Sequence, residues 1–291
     1  MPRAEVAPAS NPHAQEVARG ERFEFGKNWA RFLTLLNERR ISTAEHSLRE
    51  WLETDSLEGK SFLDIGSGSG LFSLAARRLG ARVHSFDYDP HSVACTSELR
   101  RRYFPGDESW VVESGSALDA DYCARLGLFD VVYSWGVLHH TGEMWKGLEH
   151  ASRLVAPGGR LFIAIYNDQG TPSRRWKKVK QMYNRLPAGL RFLVLWPSAA
   201  HLYWHRVVKN ALHGKPLEAF REYGPENVRG MSLWSDLVDW VGGYPFEVAT
   251  PEQIFDFYRA RGFTLTRLET QGGSLGCNQF VFAKHECPAG H

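Results

Sequence analysis

Between residues 60 and 166 the chain alternates two apolar patterns. Short apolar runs at Ser61 to Ile65, Arg82 to Phe86, Trp110 to Glu113, Asp130 to Ser134 and Gly159 to Tyr166 read as five strands. Longer stretches, in which apolar residues recur at helical spacing, read as helices from Leu71 to Leu79, Pro90 to Arg102 and Met144 to Leu154. Proline opens the second of these, where a missing N–H costs nothing. Strands alternating with helices predict a mostly parallel sheet covered on both faces. Such sheets bind ligands outside the carboxyl ends of their strands.

The flanks read differently. Trp29, Phe32, Leu33 and Leu36 recur at helical spacing, and aromatics so placed usually pack inward. A second helix is predicted from Ser42 to Leu52, with Ser42 as N-cap and Glu45 completing a capping box. From Asn167 to about Thr250 no strand signal appears. That segment is helical, basic at first (Arg174, Arg175, Lys177, Lys178, Lys180), rich in Trp, Tyr and Leu, and interrupted at Pro187, Pro197, Pro216 and Pro225. Its basic run reads as a solvated helix face. Thr250-Pro251-Glu252-Gln253 then opens a capped helix that Gly262 ends, and Phe263 to Glu269 and Gln279 to Lys284 read as two further strands.

The candidate chemistry concentrates where the first strand ends. In Asp64-Ile65-Gly66-Ser67-Gly68-Ser69-Gly70-Leu71 the strand runs into three glycines at alternating positions, and Asp87 follows seventeen residues after the last. Glycines let a ligand approach the backbone, and an acid after the second strand accepts hydrogen bonds from ribose hydroxyls. A dinucleotide site spaces its glycines G-x-G-x-x-G to seat a pyrophosphate on the helix N-terminus. The spacing here is G-x-G-x-G, and Asp64 stands two residues ahead of it. That acid would repel a pyrophosphate but suits a ligand carrying an ammonium group.

This stretch resembles motif I of the class I S-adenosylmethionine (SAM) methyltransferases. Further landmarks follow in the family's order: Phe86-Asp87-Tyr88-Asp89-Pro90, then Phe129-Asp130-Val131-Val132-Tyr133-Ser134 with Val137-Leu138-His139-His140, then Leu154-Val155-Ala156-Pro157-Gly158-Gly159. The likeness is specific over about residues 60–166, and the whole chain looks most like the ubiquinone-biosynthesis-like small-molecule methyltransferases. It implies a Rossmann-like, doubly wound α/β fold: a mostly parallel seven-stranded sheet with an antiparallel last strand, a helical N-terminal lid and a helical insertion after strand five. The organisation expected is a disordered tail over 1–20, a lid over 21–58, a cofactor-binding core over 59–166, a substrate-recognition insertion over 167–250, the last helix and two strands over 251–285, and a tail over 286–291.

By the same resemblance, Asp64 and the loop Gly66, Ser67, Gly68 and Gly70 would hold the methionine part of SAM. Asp87 would bind the ribose, Tyr88 would pack on the adenine, and Ser116 and Ala117 would meet the adenine edge. Ser116 stands where many relatives carry an acid, and Asp119 is an alternative. Ser134 ends strand four beside the cofactor, while Lys27 and Trp29 in the lid would cover it. His139 or His140 would act as base on the acceptor, with Tyr166 and Asn167 orienting it. The plainer reading makes the histidines loop stabilisers and Asn167-Asp168 a turn. The product would be S-adenosylhomocysteine (SAH).

Composition narrows the partners. The chain has 291 residues, 43% hydrophobic and 23% charged, the mixture of a soluble globular protein. Its net charge of +2 gives no electrostatic case for nucleic acid. Four cysteines form no C-x-x-C pair, and no leader or spanning segment is visible, which points to the cytoplasm. No metal is expected: Ser134-Trp135-Gly136 offers no carboxylate, and His201 with His205, or His285 with Cys287 and His291, lack a full ligand set. Leu190 to Val208 is apolar and aromatic with interspersed Arg and His, suited to covering the site or to peripheral membrane contact. Residues 229–247 and the Gly272 to Asn278 loop border the expected substrate pocket. The reading is methyl transfer to a small molecule, foremost at a phenol- or quinol-like oxygen, by a monomer or homodimer. Nitrogen, sulfur, carbon or sugar-hydroxyl acceptors, non-methyl SAM chemistry, and SAM binding without turnover are the alternatives.

Overall fold

The computed structural model describes residues 12–212, 233–272 and 275–286. Residues 1–11 of the tail, the insertion's 213–232 with Pro216 and Pro225, Ser274, Cys287 and His291 lie outside the described residues, as do the side chains of Lys27, Phe32 and His205.

The strands are β1 Ser61–Ile65, β2 Arg82–Asp87, β3 Trp110–Ser114, β4 Phe129–Trp135, β5 Val155–Tyr166, β6 Phe263–Glu269 and β7 Cys277–Lys284. They form one sheet in the order β3-β2-β1-β4-β5-β7-β6. The β1 to β5 pairings are parallel, and β7 runs antiparallel to both β5 and β6. The order reverses direction between β1 and β4, which opens a crevice at their carboxyl ends.

The helices are α1 Pro12–Ala18, α2 Gly26–Leu35, α3 Glu38–Leu52, α4 Leu71–Arg78, α5 Pro90–Tyr103, α6 Ala120–Leu126, α7 Met144–Arg153, α8 Thr171–Arg185, α9 Phe192–Leu212, α10 Leu233–Gly242 and α11 Pro251–Arg259. Side chains alternate across a strand, so neighbouring residues enter different cores. Phe62, Tyr133 and Phe162 pack with Ile41, Leu48, Leu74 and Leu99 of α3, α4 and α5. Leu63, Ile65, Val132 and Ile163 pack on the opposite face with Cys123, Leu148, Ile254 and Tyr258 of α6, α7 and α11. Two covered faces explain why these strands read as unbroken apolar runs. The insertion has its own cluster, where Trp176, Tyr183, Val194, Leu195, Leu237, Val241 and Phe246 enclose Phe23 from the lid side.

Four expectations are corrected. Residues 12–18, assigned to a disordered tail, form α1, with His13 buried 3.6 Å from Asp89. The second lid helix starts at Glu38 rather than Ser42, because Asn37 holds an extended backbone and its side chain accepts the Arg40 N–H. Strand five starts at Val155, ahead of the Pro157-Gly158-Gly159 turn, since Val155 already pairs with Phe129 before the register shifts. Pro197 lies inside α9 instead of breaking it. The sequence reading also missed α6, which Asp119 caps through the Tyr122 N–H.

Candidate functional site

The glycine loop closes the carboxyl end of β1. Gly66 and Ser67 both donate to the Phe86 carbonyl of β2, at 2.8 and 3.1 Å. This ties the loop to the neighbouring strand. Gly66 has φ +75°, and a Cβ there would lie 2.3 Å from Val137 Cγ1. Only glycine fits that turn. Gly68 faces the lid: a Cβ would stand 3.1 Å from the indole nitrogen of Trp29. The aromatic residue expected to cover the cofactor therefore lies directly over the loop.

Two buried acids flank this loop. Asp64 is almost fully buried, and its Oδ2 accepts the Ser73 hydroxyl. Ser73 in turn accepts from Ser85 at 2.8 Å, which accepts the Trp110 indole N–H at 2.9 Å. This relay orients the carboxylate from behind. Burial, with the nearby Asp87 charge, pushes Asp64 up to about 7 against the Ser73 hydrogen bond. Asp87 ends β2 and accepts the Gly68 N–H at 2.9 Å on Oδ2 and the Asp89 N–H at 2.9 Å on Oδ1. Burial pushes it up to about 6 against those bonds. The Tyr88 N–H also donates to this carboxylate, so of its roughly four acceptor positions about one stays open to an incoming hydroxyl. Two raised carboxyls flanking one loop describe a place short of positive charge.

Other predicted cofactor residues are committed elsewhere. Ser134 is fully buried and donates to the Ile65 carbonyl at 3.1 Å, stitching β4 to β1. Ser116 Oγ accepts the Leu118 N–H at 3.2 Å, and the Ala117 carbonyl accepts from His150 Nδ1 at 2.7 Å. Tyr88 donates its hydroxyl to Glu16 of α1 at 3.0 Å, and the Arg22 guanidinium covers its ring at 4.9 Å. One face of that ring is thus already occupied.

Arg22 also reaches across the crevice. Its guanidinium pairs with Glu16 and donates to the His140 and Thr141 carbonyls at 3.0 and 3.5 Å. His139 and His140 form a 3-10 turn after β4, both buried, with ring centres 4.5 Å apart. The Pro245 carbonyl fixes the tautomer of His140, while His139 Nδ1 meets both the Tyr166 N–H and the Ala164 carbonyl. His139 Nδ1 accepts the Tyr166 N–H at 3.4 Å. The Ala164 carbonyl, which accepts the Gly136 N–H, also hydrogen-bonds the His139 ring. In the tautomer whose Nδ1 accepts the Tyr166 N–H, neutral His139 carries its proton on Nε2, which is buried with no hydrogen-bond partner among the described residues. His140 Nδ1 instead donates to the Pro245 carbonyl at 2.6 Å, leaving a lone pair on Nε2. Burial, then the Lys180 charge, holds His140 down at about 3. Burial, His140 and Lys180 hold His139 well below the usual histidine range.

Tyr166 ends β5 and packs on His139 at 3.9 Å between ring centres. Asn167 behaves as a brace. Its Oδ1 accepts from Asn278 at 3.1 Å, its N–H donates to the Gly276 carbonyl, and Asp168 turns the chain by accepting the Gly170 N–H at 2.7 Å. A polar cleft of about 290 Å³ opens beside Pro245 and Phe246, bordered by Arg19, Glu21, Lys177, Arg185 and Glu247.

Sequence reasoning missed Arg22 and Lys180, while Trp240 and Phe246 lie in the 229–247 stretch it set beside the substrate pocket. Lys180 was counted with a solvated basic face but is fully buried. The signal was its helical phase: it stands four residues after Trp176 and three before Tyr183, both buried on α8. Among the described residues no group of three or more His, Cys, Asp or Glu could hold a metal, and no helix is long and apolar enough to cross a membrane. His285 faces Thr264 at 2.7 Å.

Comparison with known proteins shows the family and the fold. Residues 36–211 match the methyltransferase-domain family. The chain is 44% identical over 116 residues to a ribosomal protein L11 methyltransferase of Methylococcus capsulatus, covering 40% of this chain and 36% of that protein. It is 26% identical over 253 residues to a ubiquinone biosynthesis O-methyltransferase of Methylocella silvestris, covering 77% and 89%. The first two curated relatives are matched over only 36% and 45% of their length. The fold is similar to that of a magnesium protoporphyrin IX methyltransferase from Synechocystis PCC 6803 with bound SAH, with a TM-score of 0.50, 14% identity and coverage of 84% and 83%.

Proposed function

Since the chain belongs to the class I SAM-dependent methyltransferase family, we propose that it moves a methyl group from SAM to a hydroxyl oxygen of a small acceptor. The observation that carries this reading is the buried pair His139 and His140, their ring centres 4.5 Å apart, which can hold opposite tautomers. A hydroxyl both accepts and donates, and the pair offers an N–H on His139 beside a lone pair on His140. The Methylocella relative, named for O-methylation and matched over most of its length, supports the same acceptor atom.

When bound, SAM supplies an electrophilic methyl group on a positively charged sulfur. Asp64 holds the ammonium end and is kept in place by Ser73, Ser85 and Trp110. Asp87 takes a ribose hydroxyl on its remaining acceptor position. Trp29 roofs the loop over Gly68. His139 donates to the acceptor oxygen, and His140 accepts a hydrogen bond from the hydroxyl as the acceptor docks, before its proton leaves. Tyr166 backs His139 so that neither ring turns. Displacement at a sulfonium carbon asks mainly for such alignment.

The test is transfer of radiolabelled methyl from SAM to matched panels of phenols, catechols, amines and thiols, with L11 protein as a further acceptor. Transfer to hydroxyl compounds is expected, falling about 100-fold or more in His140→Ala. Transfer confined to amines or to L11 would refute the oxygen assignment. Peripheral membrane contact has support in the exposed Phe192, Leu193, Trp196 and Trp204 of α9, which follow Arg191. Co-sedimentation with anionic vesicles checks it, and recovery of all protein in the supernatant would dismiss it.

A further inference from the structure

Lys180 is the buried cation that the donor and acceptor sites leave unexplained. Its Nζ donates to the Trp240 carbonyl and lies 4.3 Å from the Trp240 ring centre, 4.8 Å from Phe246 and 6.0 Å from Tyr166. An ammonium has three N–H donors, and the Trp240 carbonyl satisfies one. The indole N–H of Trp240 and Nε2 of His139 are also buried with no partner among the described residues. Tyr166 touches both rings, at 5.4 Å from Trp240 and 3.9 Å from His139. Buried donors without acceptors are costly, so a cluster of them marks a place built for an incoming oxygen.

We propose that Lys180, set among Tyr166, Trp240 and Phe246, removes the acceptor's hydroxyl proton and pairs with the oxyanion left behind. This deepens the oxygen-transfer reading and rests on it. The acceptor O–H bond breaks, its electron pair stays on oxygen, and the proton passes to the lone pair of the neutral Nζ. A neutral phenol and a neutral amine become an oxyanion and an ammonium. His139 Nε2–H and the Trp240 indole N–H supply the oxyanion's remaining hydrogen bonds.

Burial pushes Lys180 down to about 7, with Asp239 of α10 opposing. The amine form is therefore present at neutral pH, whereas His140, held at about 3, is too weak a base for a phenol. Lys180 is faced by His139 and His140 from the turn after β4, Tyr166 from β5, and Asp239 from α10; Arg22 acts on His140 from the lid. The rival role is structural: Lys180 caps the end of α10 through the Trp240 carbonyl, as Asn184 does through the Gly242 carbonyl at 2.6 Å.

The probe is 4-nitrophenol, whose anion absorbs in the visible, titrated by pH against SAH-saturated protein. The nitrophenol band should show ionisation at least about one pH unit lower than in buffer. Lys180→Met should abolish that shift while SAH affinity by calorimetry stays unchanged. Absence of any band perturbation with wild-type protein overturns the proposal, as does a shift that survives in Lys180→Met. Methyl ether formation without a phenolate shift sinks the Lys180 role alone. A Lys180-dependent shift with transfer only to amines sinks the oxygen reading alone.

Discussion

Replacing Lys180 by methionine should stabilise the protein near neutrality, although it removes a hydrogen bond. The lysine titrates at about 7 in the fold against an ordinary 10.5, with burial the main cause. Each unit is worth about 1.4 kcal/mol, so folding with the ammonium form costs about 5 kcal/mol relative to folding with the amine. The side chain is fully buried, so solvent screens little of this. Methionine has similar length and no charge, but leaves the Trp240 carbonyl without its donor, at about 1–3 kcal/mol. The net gain at pH 7 is then about 2 kcal/mol or more. Its sign depends on pH. Between about 7 and 10.5 the unfolded lysine holds a proton that the folded one has lost, so wild-type stability rises with pH while the variant's Lys180 contribution is absent. The advantage should vanish near pH 9 and reverse above it. Matched thermal melts of both proteins from pH 6.5 to 10.5 test this, with a difference of about 4 °C expected at pH 7. A variant that melts lower at pH 7, or a gap that stays flat across the range, would refute the reasoning.

Two further predictions concern the donor side. Asp64 stands at about 7 without a cation nearby, so binding an ammonium ligand requires losing its proton below that pH. SAH affinity should fall about tenfold per pH unit below 7 and level off above it; in Asp64→Asn, calorimetry between pH 6 and 8 should find weaker binding with no such slope, and a retained slope would assign the titration elsewhere. Gly66→Ala would force a Cβ against Val137 at a positive φ, costing about 2–4 kcal/mol in chemical denaturation and weakening SAH binding. A loss below about 1 kcal/mol with full affinity would show that the loop yields.

The glycine loop, Asp64 and Asp87 were legible because their geometry is local: a strand end, a tight turn and a helix start lie within consecutive residues. Strands β1 to β5 were legible because burial on both faces leaves a continuous apolar run. What escaped was tertiary. Helix α1 has seven residues and is too short to persist alone; contacts of Glu16 and His13 with Tyr88 and Asp89 hold it. The lid's start was misread because Asn37 and Ser42 are both good caps, and the backbone at Asn37 decides between them. The tautomer of His140 depends on the carbonyl of Pro245, 105 residues away, which no local pattern encodes. Lys180 was readable from helical phase, but four basic neighbours suggested solvent instead.

Arg22 grips Tyr88 at the mouth of the cofactor cleft and the carbonyls of His140 and Thr141 on the acceptor side. One guanidinium therefore serves two doors, and opening the first loosens the frame of the second. The expected outcome of this shared contact is ordered turnover: donor in, acceptor in, methylated product out, spent donor last. Steady-state inhibition would display it, with SAH competing against SAM but not against the acceptor; competition with both would mean that the doors open independently.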